Sequence, residues 1–287
     1  MPYWAARGLS CAWVWLGAQN RGEHMAEAAS YYTDGRAYER LMGRWSRSAG
    51  EVFLDWLSLP KGLKWLDVGC GTGAFTELVI DRCAPSNICA IDPAQDQIAY
   101  ARNGPAASRA TFRIGDALSL PFADREFDVA AMALVISFVP DASKALAEMK
   151  RVVKQQGTVA AYVWDWLGGG YVQWPMIEAL GTKGIDVPPA AGAKNGRIEE
   201  MRGLLERAGL DQVATRTIEI EVSYPNFEEY WSAQTGFANP TVQAIRKMSE
   251  PDVAALQAHL REHLPTDRSG RIAYPARASA VKGRVPN

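Results

Sequence analysis

Residues 64–76 read Lys-Trp-Leu-Asp-Val-Gly-Cys-Gly-Thr-Gly-Ala-Phe-Thr. A short apolar run enters three alternating glycines, Gly69, Gly71 and Gly73, and a helix-like segment follows. Strand, glycine turn and helix in this order is the unit by which an α/β sheet brings bare backbone against a nucleotide-like ligand. Glycine suits such a turn because it accepts positive φ and has no Cβ to hold a ligand away. Taken alone, the triplet is equally well a tight turn between packed elements.

Two more acids close apolar runs. Residues 88–91 end in Asp92, and 111–115 end in Asp116. Asp67, Asp92 and Asp116 therefore recur at intervals of 25 and 24 residues, each long enough for one strand–helix repeat. Right-handed crossovers bring all three to the carboxyl edge of a parallel sheet, where such sheets bind ligands. A carboxylate accepts two hydrogen bonds, so one at the second strand end suits a ribose diol. One at the third suits an exocyclic amine. A single Asp at a strand end would be a helix cap or turn former, but three in register with the glycines favour a ligand.

These residues carry a family resemblance. Asp67-Val-Gly-Cys-Gly-Thr-Gly73, Asp92, Gly115-Asp116-Ala117 and Phe127-Asp128-Val129 resemble the class I S-adenosylmethionine-dependent methyltransferases. Over 65–164 the chain looks most like the type 11, ubiquinone/menaquinone-methyltransferase-like branch. The resemblance implies a Rossmann-like, doubly wound, seven-stranded and mostly parallel sheet with an antiparallel last strand and a helical lid. It also implies S-adenosyl-L-methionine as cofactor. Gly69, Cys70, Gly71 and Gly73 would pass under its methionine part, with Asp67 nearby. Asp92, with Pro93 and Gln97 beside it, would hold the ribose hydroxyls, and Asp116 with Ala117 would read the adenine. The stretch 134–138 would border the transferred methyl, with Leu134 on the cofactor and Ile136 and Phe138 in the substrate pocket. The segment 42–47 resembles one found just before this domain in bacterial relatives, where an N-terminal helix covers the cofactor. Arg44 is the candidate partner for the cofactor's carboxylate, since guanidinium binds carboxylate bidentately. The chain departs from its relatives at 154–157, Lys-Gln-Gln-Gly, where a Lys-Pro-Gly-Gly turn is common; Gly157 is expected to supply the positive φ.

A nicotinamide dinucleotide site is the main rival. Gly69, Gly71 and Ala74 fit its permissive fingerprint, and Asp92 lies where its ribose-binding acid should be. Gly73 and Asp116 are features that such a site does not require. A non-catalytic domain that binds S-adenosylmethionine as a regulator is the other alternative.

Bulk properties exclude several classes. Lys plus Arg is 31 against Asp plus Glu at 32, so no global field favours nucleic acid or an anionic membrane. No apolar run approaches the roughly 20 residues that span a bilayer. Cys11, Cys70, Cys83 and Cys89 have neither zinc-ligand spacing nor a disulfide framework, and a bridge at Cys70 would spoil the turn. This usage fits a reducing cytoplasm. Residues 11–18 form a short apolar block with Arg7 upstream, a faint likeness to a signal peptide. Because the family resemblance begins after Met25, the expectation is that Met25 is a natural start and 1–24 a dispensable extension.

The rest divides by pattern. Tyr38, Leu41, Met42, Trp45, Ala49, Val52, Phe53 and Trp56 recur at helical spacing, giving an N-terminal helical lid over 25–63. The cofactor core covers 64–166, with helices at 75–82, 94–102 and 142–153 (Asp141 as N-cap) and strands at 88–91, 111–114, 127–134 and 158–164. An insert, a helix at 198–208 closed by Gly209 and a sixth strand occupy 167–224. A helical substrate lid covers 225–268, and 269–287 holds the last strand and tail. Long insertions over the carboxyl edge are where specificity usually resides.

Methyl transfer from a sulfonium is an in-line displacement that needs positioning and a dry pocket more than a metal. Aromatic rings suit the cation, and Phe138, Trp164, Trp166, Tyr171, Trp174, Tyr230 and Trp231 are candidates, with Trp166 and Tyr171 assigned to the substrate pocket. No general base stands out. His24 precedes the fold, while His259 and His263 sit on a lid helix. Asp165, just after the fifth strand, is the candidate substrate contact, with turn capping as its other role. Residues 133–136 lack the Asn/Asp-Pro-Pro-aromatic signature of amino-group methyltransferases, and no acid cluster resembles a magnesium site. The reading is a small-molecule acceptor, no metal and no nucleic-acid partner.

Overall fold

A computed structural model of the chain describes residues 43–236 and 239–287. The readings placed on Met25, Cys11, His24, Tyr38, Leu41 and Met42 lie outside the described residues.

Helix α1 (Arg44–Leu57) buries Trp45, Ala49, Phe53 and Leu57, a stripe at helical spacing, against the sheet. Strand β1 (Lys64–Val68) leads through the glycine turn into α2 (Ala74–Cys83). Then come β2 (Asn87–Asp92), α3 (Gln95–Ala101), β3 (Thr111–Ile114) and β4 (Phe127–Ala133). Helix α4 (Ala142–Val152) starts at Asp141, whose carboxylate accepts from the amide of Lys144 at 2.9 Å, the expected cap. Strand β5 (Val153–Trp164) follows without a loop. The insert holds α5 (Trp174–Thr182) and a 3₁₀ turn at Ala193–Gly196. Helix α6 (Ile198–Arg207), β6 (Asp211–Tyr224), α7 (Phe227–Thr235), α8 (Pro240–Arg246), α9 (Glu250–His263) and β7 (Ile272–Arg284) complete the chain.

The seven strands lie in the order β3-β2-β1-β4-β5-β7-β6. Pairing is parallel from β3 to β5, and β7 runs antiparallel to both β5 and β6. The strand order reverses between β1 and β4, and such a switch point opens a crevice at the carboxyl ends. Strands β1, β4 and β5 are buried on both faces, so they read as apolar runs without alternation. One core face carries α1, α2, α3 and the lid helices; the other is sealed by α4 and α6.

The stretch 154–157 differs from expectation. It belongs to β5, and the positive φ (60°) falls on Gln156, not on Gly157. Gly157 is required for closeness instead. A Cβ there would stand 2.5 Å from Val153 Cγ1 and 2.7 Å from the Asp128 carbonyl oxygen.

Candidate active site

The glycine turn is built on β2. The amides of Gly69 and Cys70 both donate to the Ile91 carbonyl, at 2.8 and 2.9 Å, and that of Gly73 donates to the Cys70 carbonyl. Gly69, Gly71 and Gly73 have φ of 80°, 51° and 89°. The three differ in what surrounds them. A Cβ on Gly69 would lie 2.6 Å from Val135 Cγ1, and one on Gly73 would lie 3.1 Å from the Phe112 ring. Around Gly71 the nearest heavy atom to such a Cβ would be Gln97 Oε1 at 3.9 Å. Two glycines are thus needed by packing, while the third faces open space.

Asp92, at the end of β2, ties this turn to the next helix. One carboxylate oxygen accepts from the Gly71 amide at 3.0 Å and the other from the Ala94 amide at 2.9 Å. Each oxygen keeps a free lone pair for a ligand. Burial raises its pKa, and the two amides pull it back. Asp67 is fully enclosed, with Thr76 Oγ1 donating to Oδ2 at 2.6 Å and Oδ1 meeting no partner among the described residues. Burial, opposed by the Thr76 bond and aided by the Asp92 charge, lifts its pKa to about 7. Burial, then Asp67 and Asp92, push the Cys70 thiol well up, so it is a packing group and not a nucleophile.

The remaining cofactor residues of the sequence reading fall around this turn. Asp116 and Pro93 are exposed at strand ends, and the Asp116 carboxylate accepts from the Leu118 amide. Ala117 is half-buried. Leu134, directly after β4, carries φ of 63°, uncommon for a residue with a branched side chain. Its amide is fixed by the Tyr162 carbonyl at 2.8 Å. Strained backbone of this kind clusters at ligand sites.

Two expectations are corrected. Arg44 donates to the Ser223 carbonyl at 2.6 Å and lies over the Trp45 ring. Ser223 is on β6, four strand spacings from β1, a lateral separation of roughly 19 Å. The guanidinium is therefore not brought to the glycine turn. Ile136 is fully buried in the core on the α4 side, so its side chain faces away from the crevice.

Phe138 is 40% exposed beside the crevice. Trp166 and Tyr171 stack at 4.1 Å between ring centroids. Asp165 serves mainly as the turn former: Oδ1 accepts from the Gly168 amide at 2.9 Å, and Oδ2 is 3.9 Å from the Arg277 guanidinium. His259 and His263 stack on each other on α9, the first half-buried and the second exposed. Among the described residues no group of three or more His, Cys, Asp or Glu could hold a metal ion, and no helix is long and apolar enough to cross a membrane.

Sequence reasoning missed Thr76, whose signal was a hydroxyl on the first turn of α2. It also missed a polar network between the lid and the sheet. Gln234 Nε2 donates to the Tyr224 hydroxyl at 3.1 Å and to that of Tyr274 at 3.5 Å, and Trp45 Nε1 donates to Tyr224 as well. Tyr274 donates onward to the Val172 carbonyl, while Gln173 bridges the Gln234 carbonyl and the amide of Asn239.

This architecture is widely shared. Residues 66–161 match the methyltransferase-domain family. Over 249 residues the chain is 33% identical to the malonyl-[acyl-carrier protein] O-methyltransferase of Serratia marcescens, covering 84% of this chain and 80% of that one. The chain belongs to the class I S-adenosylmethionine-dependent methyltransferases. It is also 30% identical over 127 residues to the ubiquinone/menaquinone biosynthesis C-methyltransferase UbiE of Paracoccus denitrificans, covering 43% of this chain and 51% of that enzyme. The chain spans about half the length of the first curated relatives it matches. In fold it is similar to a Haemonchus contortus phosphoethanolamine N-methyltransferase solved with phosphomonomethylethanolamine and S-adenosylhomocysteine (TM-score 0.56, 15% identity, 92% of this chain and 59% of that chain).

The enzyme is thus a methyltransferase, and S-adenosylmethionine is its cofactor. The residues present fit that group. The open side of Gly71 is a cradle that a Cβ would fill, Asp92 has spare lone pairs for a diol, and Asp67 offers a buried carboxyl oxygen without a partner. The relatives named above are methyltransferases, and none of them is a nicotinamide enzyme.

Proposed function

We propose that this methyltransferase acts on a small-molecule acceptor by metal-independent, in-line transfer. The observation that carries the reading is a placement along one sheet edge. Gly71 and Asp92 stand at the carboxyl ends of β1 and β2, and Phe138, Trp166 and Tyr171 follow the adjacent β4 and β5. The cofactor, when bound, supplies an electrophilic methyl on a sulfonium.

The chain's own residues position and exclude. Gly69, Gly71 and Gly73, stiffened through the bonds to Ile91 and Asp92, present backbone amides and no side chains. Asp92 holds a ribose diol, Asp116 and Ala117 border the base, and Leu134 presents its backbone to the reacting end. Trp166 and Tyr171 favour a nearby cation by roughly 0.5–2 kcal/mol and keep water out. Asp165 acts through the 165–170 turn that carries those rings, so it is a positioning residue. Among the described residues no buried histidine or second acid stands ready as a base, which suits an acceptor that is already nucleophilic.

The division into a core at 64–166 and a substrate lid at 225–268 belongs to this reading, as does a dispensable 1–24. The described cysteines are unpaired, which supports a reducing compartment such as the cytoplasm. The test is a titration with S-adenosylmethionine followed by labelled-methyl transfer to a metabolite extract in EDTA. Label is expected in the low-mass fraction and undiminished by the chelator. Label confined to protein or nucleic acid would sink the acceptor class, and activity restored only by added magnesium would sink metal independence.

A further inference from the structure

Six buried side-chain polar atoms lack a hydrogen-bond partner among the described residues, and four of them share one region. They are Ser46 Oγ, Trp164 Nε1, Tyr230 OH and Gln234 Oε1. Trp164 lies two residues beyond Tyr162 on β5, hence on the same face, and Tyr162 donates to the Ser46 carbonyl at 3.4 Å. Next to Ser46, Trp45 meets Tyr224, whose ring stands 5.3 Å from that of Tyr230. Gln234 is bonded to Tyr224 in turn. All four groups therefore lie on the α1 side of the sheet, with α1 supplying one, α7 two and β5 the fourth.

A native interior leaves few polar groups unmet, and a local concentration of them marks a place where a ligand or ordered water completes the bonding. Resting on the methyltransferase reading above, we propose that this region recognises the acceptor, and that the recognised part is an uncharged hydroxyl- or amide-bearing group. The donor and acceptor pattern sets the class. Trp164 donates only, Gln234 Oε1 accepts only, and the two hydroxyls do either. A ligand must then both accept and donate. A carboxylate would set its charge against Gln234 Oε1, and the cation whose field reaches Tyr224, Arg44, is already committed to the Ser223 carbonyl and the Trp45 ring. Among the described residues an ammonium would find no fully enclosed carboxylate beside these atoms: Asp67 belongs to β1 at the glycine turn, and Asp165 is engaged by the Gly168 amide with Arg277 close by.

Burial raises the pKa of Tyr224, Tyr230 and Tyr274, so these hydroxyls stay protonated and serve recognition, not proton abstraction. Tyr274 lies on β7 and the acceptor's reactive end at β4, two strand spacings away or roughly 10 Å. The acceptor is accordingly elongated, lying along the Trp166–Tyr171 stack. All four atoms are closed to solvent in this conformation, so entry displaces α7, which carries two of them.

The test uses the whole chain saturated with S-adenosylhomocysteine and three matched fragments, benzamide, benzoate and benzylamine, titrated by saturation-transfer NMR. Benzamide is expected to bind at least tenfold more tightly than either ion. Tyr230→Phe and Gln234→Leu should each weaken benzamide at least tenfold while S-adenosylmethionine binding stays within twofold. Tyr230→Phe should melt at or above the wild-type temperature, because it deletes a hydroxyl that makes no bond. Preference for an ion, no benzamide binding, binding untouched by the substitutions, or a lowered melting point for Tyr230→Phe would each overturn the proposal. Failure of the unsubstituted protein to bind S-adenosylmethionine would count against the cofactor assignment instead, and the separate titration makes that failure visible.

Discussion

Thr76 and Asp67 form a hydrogen bond of 2.6 Å inside the β1–α2 junction, and the far oxygen of that carboxylate has nothing to bond to among the described residues. The arrangement satisfies half of a group that burial would prefer neutral. Its consequence is a carboxyl that titrates close to physiological pH.

Stability of the cofactor-free enzyme should therefore fall as pH rises. Asp67 titrates at about 7 in the fold against 3.8 as the reference value, so between these limits the native state holds a proton that the unfolded chain has released. The contribution is complete below about pH 4 and gone above about pH 7, with a size on the order of 4 kcal/mol. Asp92, also raised by burial, adds to the same slope. Urea unfolding at pH 5 and pH 7.5 measures this, and Asp67→Asn should flatten the difference. A wild-type slope equal to that of Asp67→Asn would remove Asp67 as its source.

Substitutions at Asp165 separate a turn former from a direct contact. Asn keeps an oxygen for the Gly168 amide, whereas Ala loses it along with the approach of Arg277. Asp165→Ala should raise the acceptor KM by the worth of one such bond, roughly 0.5–1.5 kcal/mol, with S-adenosylmethionine affinity nearly unchanged. Asp165→Asn should be much milder. Steady-state kinetics on both variants decide it, since an equal collapse of kcat in the two would mean that the carboxylate charge touches the acceptor.

What could be read from the chain was what is local. The glycine turn, the acids at 92 and 116 and the cap at Asp141 each depend on neighbours a few residues away, and all lie at the elements expected. Arg44 was misplaced because its partner, Ser223, is 179 residues distant and the lateral position of β6 leaves no local mark. Ile136 failed on a single question of facing, since after a strand end no periodicity tells which core a side chain enters. The network of Gln234, Tyr224, Tyr274 and Gln173 joins three segments with no shared pattern, so nothing in the sequence announced it.

The start of β5 offers a paired test of backbone strain. Gln156 holds φ of 60°, which glycine adopts without penalty, so Gln156→Gly should stabilise the fold by up to about 1 kcal/mol. Gly157→Ala should do the opposite, by roughly 1–3 kcal/mol, because its Cβ would press on Val153 and on two carbonyl oxygens. Denaturant melts of the two variants should move in opposite directions. Equal shifts would mean that the positive φ has passed from one residue to the other.

The sharpest separation of folding from binding lies within the glycine turn itself. Gly69 and Gly71 both have positive φ, so alanine at either position bears a backbone cost of roughly 1–2 kcal/mol. Beyond that they part. At Gly69 the new methyl would be driven into the Val135 side chain at 2.6 Å, and at Gly71 it would enter space whose nearest atom is 3.9 Å away. Gly69→Ala should therefore lower the melting temperature sharply, with cofactor binding lost as part of a general collapse. Gly71→Ala should fold with a modest loss, yet bind S-adenosylmethionine at least tenfold more weakly, since its methyl occupies the face offered to the ligand. Differential scanning calorimetry and titration calorimetry on the same two samples supply both readings. If Gly71→Ala binds as tightly as the wild type, the open face of that residue is not where the cofactor lies.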